Sequence, residues 1–265
     1  MVTLPTLPQS NTVSPRHRLE PARRAPKPGF RLDIEGLRAV AVLAVVAFHA
    51  DLPGVGGGYV GVDVFFVISG FLITGILSRE VIATGTIRLG HFYGARARRL
   101  LPAAATVGVA TAVGSAVLLP PLQARSVIGD GIASALYVGN YRFALHGTDY
   151  LASDTPPSPF QHYWSLGVEE QFYLLWPALI IGATWLVRRA GGRVPWWVNP
   201  YLVVLGVVAA TSFALAVAWT HLSPPWAFFS LPTRAWELAV GGLVALSAAQ
   251  WRRLPTLPAV VAGWG

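Results

Sequence analysis

Six apolar blocks dominate this chain, near residues 34–52, 59–78, 100–119, 163–187, 200–220 and 233–250. Each is close to the ~20 residues an α-helix needs to cross a bilayer. Basic residues gather between the blocks. Arg16, Arg18, Arg23, Arg24, Lys27 and Arg31 precede the first, and Arg79, Arg88, Arg96, Arg98 and Arg99 separate the second from the third. Arg188, Arg189 and Arg193 follow the fourth, and Arg252 with Arg253 follows the sixth. If all six blocks cross and the N-terminus is cytoplasmic, every cluster lies on the inner face, where positive charge accumulates. The pattern predicts an all-α polytopic membrane protein, a helical bundle of about six crossings embedded in the lipid bilayer.

Composition narrows the function classes. The chain is 54% hydrophobic and 12% charged, where a soluble domain carries about 25% charged residues. Cysteine is absent, which excludes a disulfide framework, a thiolate nucleophile and cysteine metal ligands. The net charge of +8 lies in short runs beside apolar blocks. That is a topology signal and not a nucleic-acid stripe.

One segment resists the scheme. Residues 126–143, "SVIGDGIASALYVGNYRF", are long enough to cross marginally but carry Asp130, Asn140 and Arg142. Counting them as a crossing would move Arg188, Arg189 and Arg193 outside, so a re-entrant or interfacial element packed against protein is expected. Residues 144–162 then belong to an outer-face loop. Residues 1–30, rich in Pro, Ser, Thr and Arg, predict a disordered cytoplasmic tail. No small-residue cleavage signal closes the first block, so an uncleaved first helix is expected. The bundle should occupy 31–253, and 254–265 reads as the start of a further, truncated helix.

Ionisable groups inside apolar helices are costly and mark pathways, sites or polar helix contacts. Arg38 and His49 bracket ten residues of the first block, about 16 Å apart along a helix axis. Asp63, early in the second block, should reach a similar depth and is a candidate to orient His49. A catalytic or ligand-contacting His49 and a polar contact joining the first two helices both fit these residues. "HFYGARARRLLPA" places Arg96, Arg98 and Arg99 at the inner mouth of the third crossing, either as membrane anchors or as a clamp for phosphoryl oxygens. Pro102 would then sit in that helix's first turn. In "FQHYWSLGVEEQFYLLWP", adjacent Glu169 and Glu170 point about 100° apart, so only one can face a shared site. His162, Ser165 and Glu169 follow helical spacing on one face. Arg234 and Glu237, three apart, are placed to neutralise each other.

Together, "RLDIEGLRAVAVLAVVAFHA", "GGYVGVDVFFVISGFLIT", "FYGARARRLLPA", "HYWSLGVEEQFYLLWP" and "FFSLPTRAWELAVGGLVAL" resemble the membrane domain of the acyltransferase 3 family over about residues 30–253. The resemblance implies a bacterial plasma-membrane O-acyltransferase that transfers an acyl group, most commonly acetyl, from acyl-CoA to a carbohydrate, peptidoglycan or lipid-linked glycan acceptor. It implies no permanently bound cofactor. By position, the family's arginine-to-histidine motif falls on Arg38 and His49, with His49 as catalytic base or acyl-handling residue. Its cytoplasmic R-x-x-R motif falls on Arg96 and Arg99, linked to acyl-CoA use. Its S-L-x-x-E-x-x-F-Y motif falls on Ser165, Leu166, Glu169, Phe172 and Tyr173, which favours Glu169 over Glu170. The "FFSLPTRAWEL" stretch is similar to members that carry an SGNH esterase-like domain after the membrane part, and here a separate partner of that type is the expectation. Two departures stand out. Ala95 occupies a position that is arginine in many relatives, which predicts weaker donor affinity. The family's membrane domain has roughly ten or eleven helices against six here, so an inactive acyltransferase fragment is one alternative. A proton-coupled transporter is the other, although it gives no reason for the arginine motif.

Overall fold

The computed structural model describes residues 31–147, 157–189 and 199–251, and every regular element in them is helical. The expected tail over 1–30, the segment 254–265 and much of the outer loop lie outside the described residues. Five helices follow the apolar blocks closely: α1 (Leu32–His49), α2 (Gly61–Thr84), α6 (Tyr163–Arg189), α7 (Pro200–Leu222) and α9 (Leu231–Trp251). Between them lie α3 (Leu89–Leu118), α4 (Pro121–Ala135), α5 (Gly139–Leu145) and the short α8 (Pro224–Phe229). Gly58–Thr84, Leu89–Leu118 and Pro200–Leu222 are each long and apolar enough to cross a membrane. Leu101, Val109, Val113 and Val117 of α3, with Val203, Val207 and Phe213 of α7, are exposed. Such apolar helix faces would aggregate in water and are at home against lipid.

The third helix departs from the expectation. It begins at Leu89, well before the apolar block, and runs for 30 residues, about 45 Å. Pro102 therefore lies in its interior and not in its first turn. Arginine is a good helix former, so the "ARARR" run continues the helix where hydropathy alone reads a loop.

The awkward segment 126–143 forms a broken helix, α4 then α5. Tyr137 marks the break, with φ of 56°, a left-handed conformation that is unusual for a bulky residue. Its polar residues face protein. Arg142 Nε donates to Asp130 Oδ1 at 2.6 Å, and fully buried Asn140 donates to the Phe229 carbonyl at 2.9 Å. The Gln171 amide donates to both the Tyr137 carbonyl (2.7 Å) and Asn140 Oδ1 (2.8 Å). These bonds tie α5 to α6 and α8.

The core is aromatic. Buried Trp164 meets Phe66, Phe228 and Phe229 edge-on or tilted, and buried Trp176 stacks on Phe172 and donates to Thr74 Oγ1 at 3.0 Å. Helices α2 and α9 touch backbone to backbone: a β-carbon at Gly70 would overlap the Leu238 carbonyl, and one at Gly241 that of Val67. Small residues permit this approach where lipid supplies no hydrophobic drive for association.

Candidate active site

Helix α1 delivers His49 as its last residue. Positions 42, 45, 46 and 49 follow the i, i+3, i+4, i+7 rule and form one stripe. Val42, Val45 and Val46 line a cavity of about 300 Å³, completed by Val62, Phe65 and Phe66 of α2 and by Ser165, Leu166 and Glu169 of α6. His49, exposed, lies one turn beyond Val45 on the same stripe. Its Nδ1 lies 2.8 Å from the Val45 carbonyl. That bond selects the tautomer with the proton on Nδ1 and the lone pair on Nε2.

Opposite α1, Glu169 is held by hydroxyls. Ser69 Oγ of α2 and the Tyr173 phenol each donate to its Oε1 at 2.6 Å. Ser165 donates to the His162 carbonyl at 3.3 Å, and three family-motif residues of α6, Ser165, Leu166 and Glu169, line the cavity. His162 itself sits outside the helix, its ring 4.8 Å from that of Tyr163. Desolvation pushes its imidazole below the ordinary histidine value. The nearby charge of His49 works in the same direction, against a bond to the Pro159 carbonyl. Because α6 starts at Tyr163, His162 lies just outside the helix on which its spacing to Ser165 and Glu169 was read.

The other sequence-predicted residues disperse. Arg38 pairs with Glu35 one turn earlier on α1, at 3.0 Å. Asp63, expected beside His49, receives Arg234 Nη1 at 3.1 Å. The same nitrogen donates to Glu237 Oε1 at 2.9 Å, as the spacing of Arg234 and Glu237 predicts, and Arg234 Nε donates to the Phe228 carbonyl. Arg98 and Arg99 are exposed on α3. Arg96 is not with them. Helices α3 and α6 run antiparallel, pinned by Tyr93 donating to the Tyr173 and Leu174 carbonyls and Tyr163 to the Ala104 carbonyl. This register carries Arg96 inward onto Glu170 and to within 3.9 Å of Glu169. The arginine read at the inner mouth of the third crossing and the acids near the outer-loop end of the fourth are thus in contact, through this antiparallel register. Among the described residues, no three His, Asp or Glu side chains gather to hold a metal ion.

Sequence reasoning missed Ser69 and the role of Glu170. Ser69 carries no spacing signal; only the packing of α2 on α6 brings it to the carboxylate.

The family model described as an acyltransferase domain matches residues 31–265. The chain is similar to peptidoglycan O-acetyltransferase OatA of Listeria monocytogenes, 36% identical over 230 residues, which are 85% of this chain and 35% of that protein. It is also similar to the protein named "Putative peptidoglycan O-acetyltransferase YrhL" of Bacillus subtilis, 34% identical over 214 residues, 80% of this chain and 32% of that one. The chain thus spans about a third of the length of these relatives. No solved structure matches it.

Proposed function

The chain belongs to the acyltransferase domain family, and on that premise we propose that it moves an acyl group, acetyl in the first instance, from acyl-CoA to a hydroxyl of a cell-surface glycan. Peptidoglycan is the favoured acceptor, because both relatives described above carry it in their names. A separate SGNH-type partner on the outer face remains part of this reading.

The observation that carries it is the cavity between α1 and α6, with Val42, Val45 and Val46 on one wall, Glu169 on the other and His49 one turn beyond Val45 on the same helix. The tautomer held by Val45 leaves Nε2 as the proton acceptor. In the transfer step, the acceptor oxygen attacks the thioester carbonyl as its proton passes to His49 Nε2. The new C–O bond forms, the C–S bond breaks, and the same proton returns to the departing sulfur, giving the ester and coenzyme A. Glu169, already accepting two hydroxyl hydrogens, orients hydroxyl donors along the cavity wall. Exposed Arg99 and Arg98, within one turn of Arg96 on α3, supply charge for the donor's phosphates.

The test is transfer of labelled acetyl from acetyl-CoA in vesicles holding the 265-residue chain, with glycan acceptors supplied. Transfer by the chain and its loss in His49→Ala, with the variant folded, supports the reading. Transfer unaffected by His49→Ala removes His49 from the chemistry. Proton-coupled flux without donor use would replace the reading with transport.

A further inference from the structure

We propose that Arg96 is a positioning residue: paired with Glu170, it fixes Tyr173 and Glu169 at the cavity, and donor phosphates are met by Arg99. The inference deepens the acyl-transfer reading and rests on it only for the identity of the donor.

The two arginines of the R-x-x-R pair have different surroundings. Arg99 is exposed, whereas the Arg96 side chain is 20% exposed and enclosed between α3 and α6. One edge of the Arg96 guanidinium is filled by Glu170: Nη2 donates to Oε1 at 2.5 Å and Nε reaches Oε2 at 3.4 Å. That is the two-pronged edge a phosphate would need. The flat face is also covered, with the guanidinium carbon 3.6 Å from the Tyr173 ring centre. A phosphate could bind Arg96 only by evicting Glu170, whose carboxylate is 15% exposed and would lose its counter-ion inside the bundle. Breaking a buried pair in that way is strongly unfavourable.

The same contacts lead toward the cavity. Tyr173 touches both groups: its ring lies under the Arg96 guanidinium and its hydroxyl donates to the Glu169 carboxylate. Ser69 donates to the same oxygen from α2, and Arg96 stands 3.9 Å behind it. Arg96 thus acts on Glu169 twice, through its charge and through the ring it holds in place. Lysine could supply the charge but neither the planar stack nor the two-pronged edge.

The test compares Arg96→Gln, Glu170→Gln and Arg99→Gln in phosphatidylethanolamine–phosphatidylglycerol vesicles holding the full chain. Three quantities are read: equilibrium binding of labelled acetyl-CoA, transfer rate at saturating acetyl-CoA, and modification of Glu169 by a hydrophobic carbodiimide, which reports access to the carboxyl. Arg96→Gln should leave donor affinity within about twofold, slow saturated transfer about tenfold or more, and raise Glu169 modification about tenfold as the Tyr173 ring loses the guanidinium that holds it. Arg99→Gln should weaken donor binding about tenfold, with Glu169 modification unchanged. Should Arg96→Gln fail to fold, Glu170→Gln decides. A phosphate-binding Arg96 released from its partner would bind acetyl-CoA more tightly; a positioning pair leaves affinity unchanged and slows transfer. Loss of donor affinity in Arg96→Gln equal to that in Arg99→Gln, with Glu169 modification unmoved, overturns the proposal. If Arg99→Gln leaves affinity intact, the donor assignment falls, while Glu169 modification in Arg96→Gln still decides the role of Arg96.

Discussion

Two centres in this bundle have the same charged groups, one arginine facing two carboxylates, and differ in what surrounds them. In the Arg96 centre, Glu169 keeps 25% of its side chain exposed and lines a cavity. In the Arg234 centre, Glu237 is 1% exposed and is joined through a single guanidinium nitrogen to Asp63, which is 31% exposed but does not line the Glu169 cavity. Arg234 is also covered by the Trp164 and Phe228 rings, and its Nε is spent on a backbone carbonyl. The first centre is open to a ligand; the second locks α2, α8 and α9 together. Charge content alone does not mark a reactive site in a membrane helix. Access to a cavity does.

The largest effect expected from breaking this contrast is on folding. Arg234→Ala leaves Asp63 and Glu237 without their shared cation and should destabilise the chain by about 3–5 kcal/mol, read as thermal unfolding in detergent. Glu237→Gln, which still offers an oxygen to Arg234, should lose only on the order of 1 kcal/mol. Equal losses would show that Arg234 does not act as the lock. Beside the cavity, a change at exposed His49 should spare the fold. His49→Ala should reduce acyl transfer by about 100- to 10,000-fold with its unfolding temperature unchanged. A smaller effect follows from the α2–α9 contact that carries the lock. Gly70→Ala must separate two touching backbones, and should lose about 1–3 kcal/mol in the same unfolding assay.

The smallest effect is a pH dependence at His162. Crowding holds its imidazole below the ordinary value of 6.5, so between the two values the unfolded chain binds more protons than the folded one. The stability that His162 confers is fully present above pH 6.5 and declines as pH falls through the unfolded and then the folded value. Melting curves between about pH 7.5 and 5.5 should show an acid loss that His162→Asn reduces. An unchanged slope would remove His162 from the account.

Much of the helix frame was legible because membrane helices must satisfy their backbone internally and present apolar faces to lipid, so contiguous hydropathy reports them directly. Helices α6, α7 and α9 lie close to the blocks read from the sequence. Two elements were harder. The start of α3 hides in an arginine run whose buried partner lies 74 residues away on α6, and the break in α4–α5 depends on Gln171 capturing the Tyr137 carbonyl. The site shows the same division. The His49 stripe and the Arg234–Glu237 pair are local spacings and could be read; the Ser69–Glu169 and Asp63–Arg234 contacts span 100 and 171 residues and exist only once helices pack.

The central claim, that the proposed acyl-donor site is the Glu169 cavity and not the Arg234 centre, has a direct test because the chain contains no cysteine. Ser165→Cys places a single thiol on the cavity wall, and Ser230→Cys places one at a fully buried position near the Arg234 centre. Both would be exposed to N-ethylmaleimide in intact vesicles, with and without saturating acetyl-CoA. The account predicts rapid modification of Ser165→Cys that acetyl-CoA suppresses, and little modification of Ser230→Cys under either condition. Modification of Ser165→Cys that acetyl-CoA leaves untouched, or equal reactivity at the two positions, would contradict it.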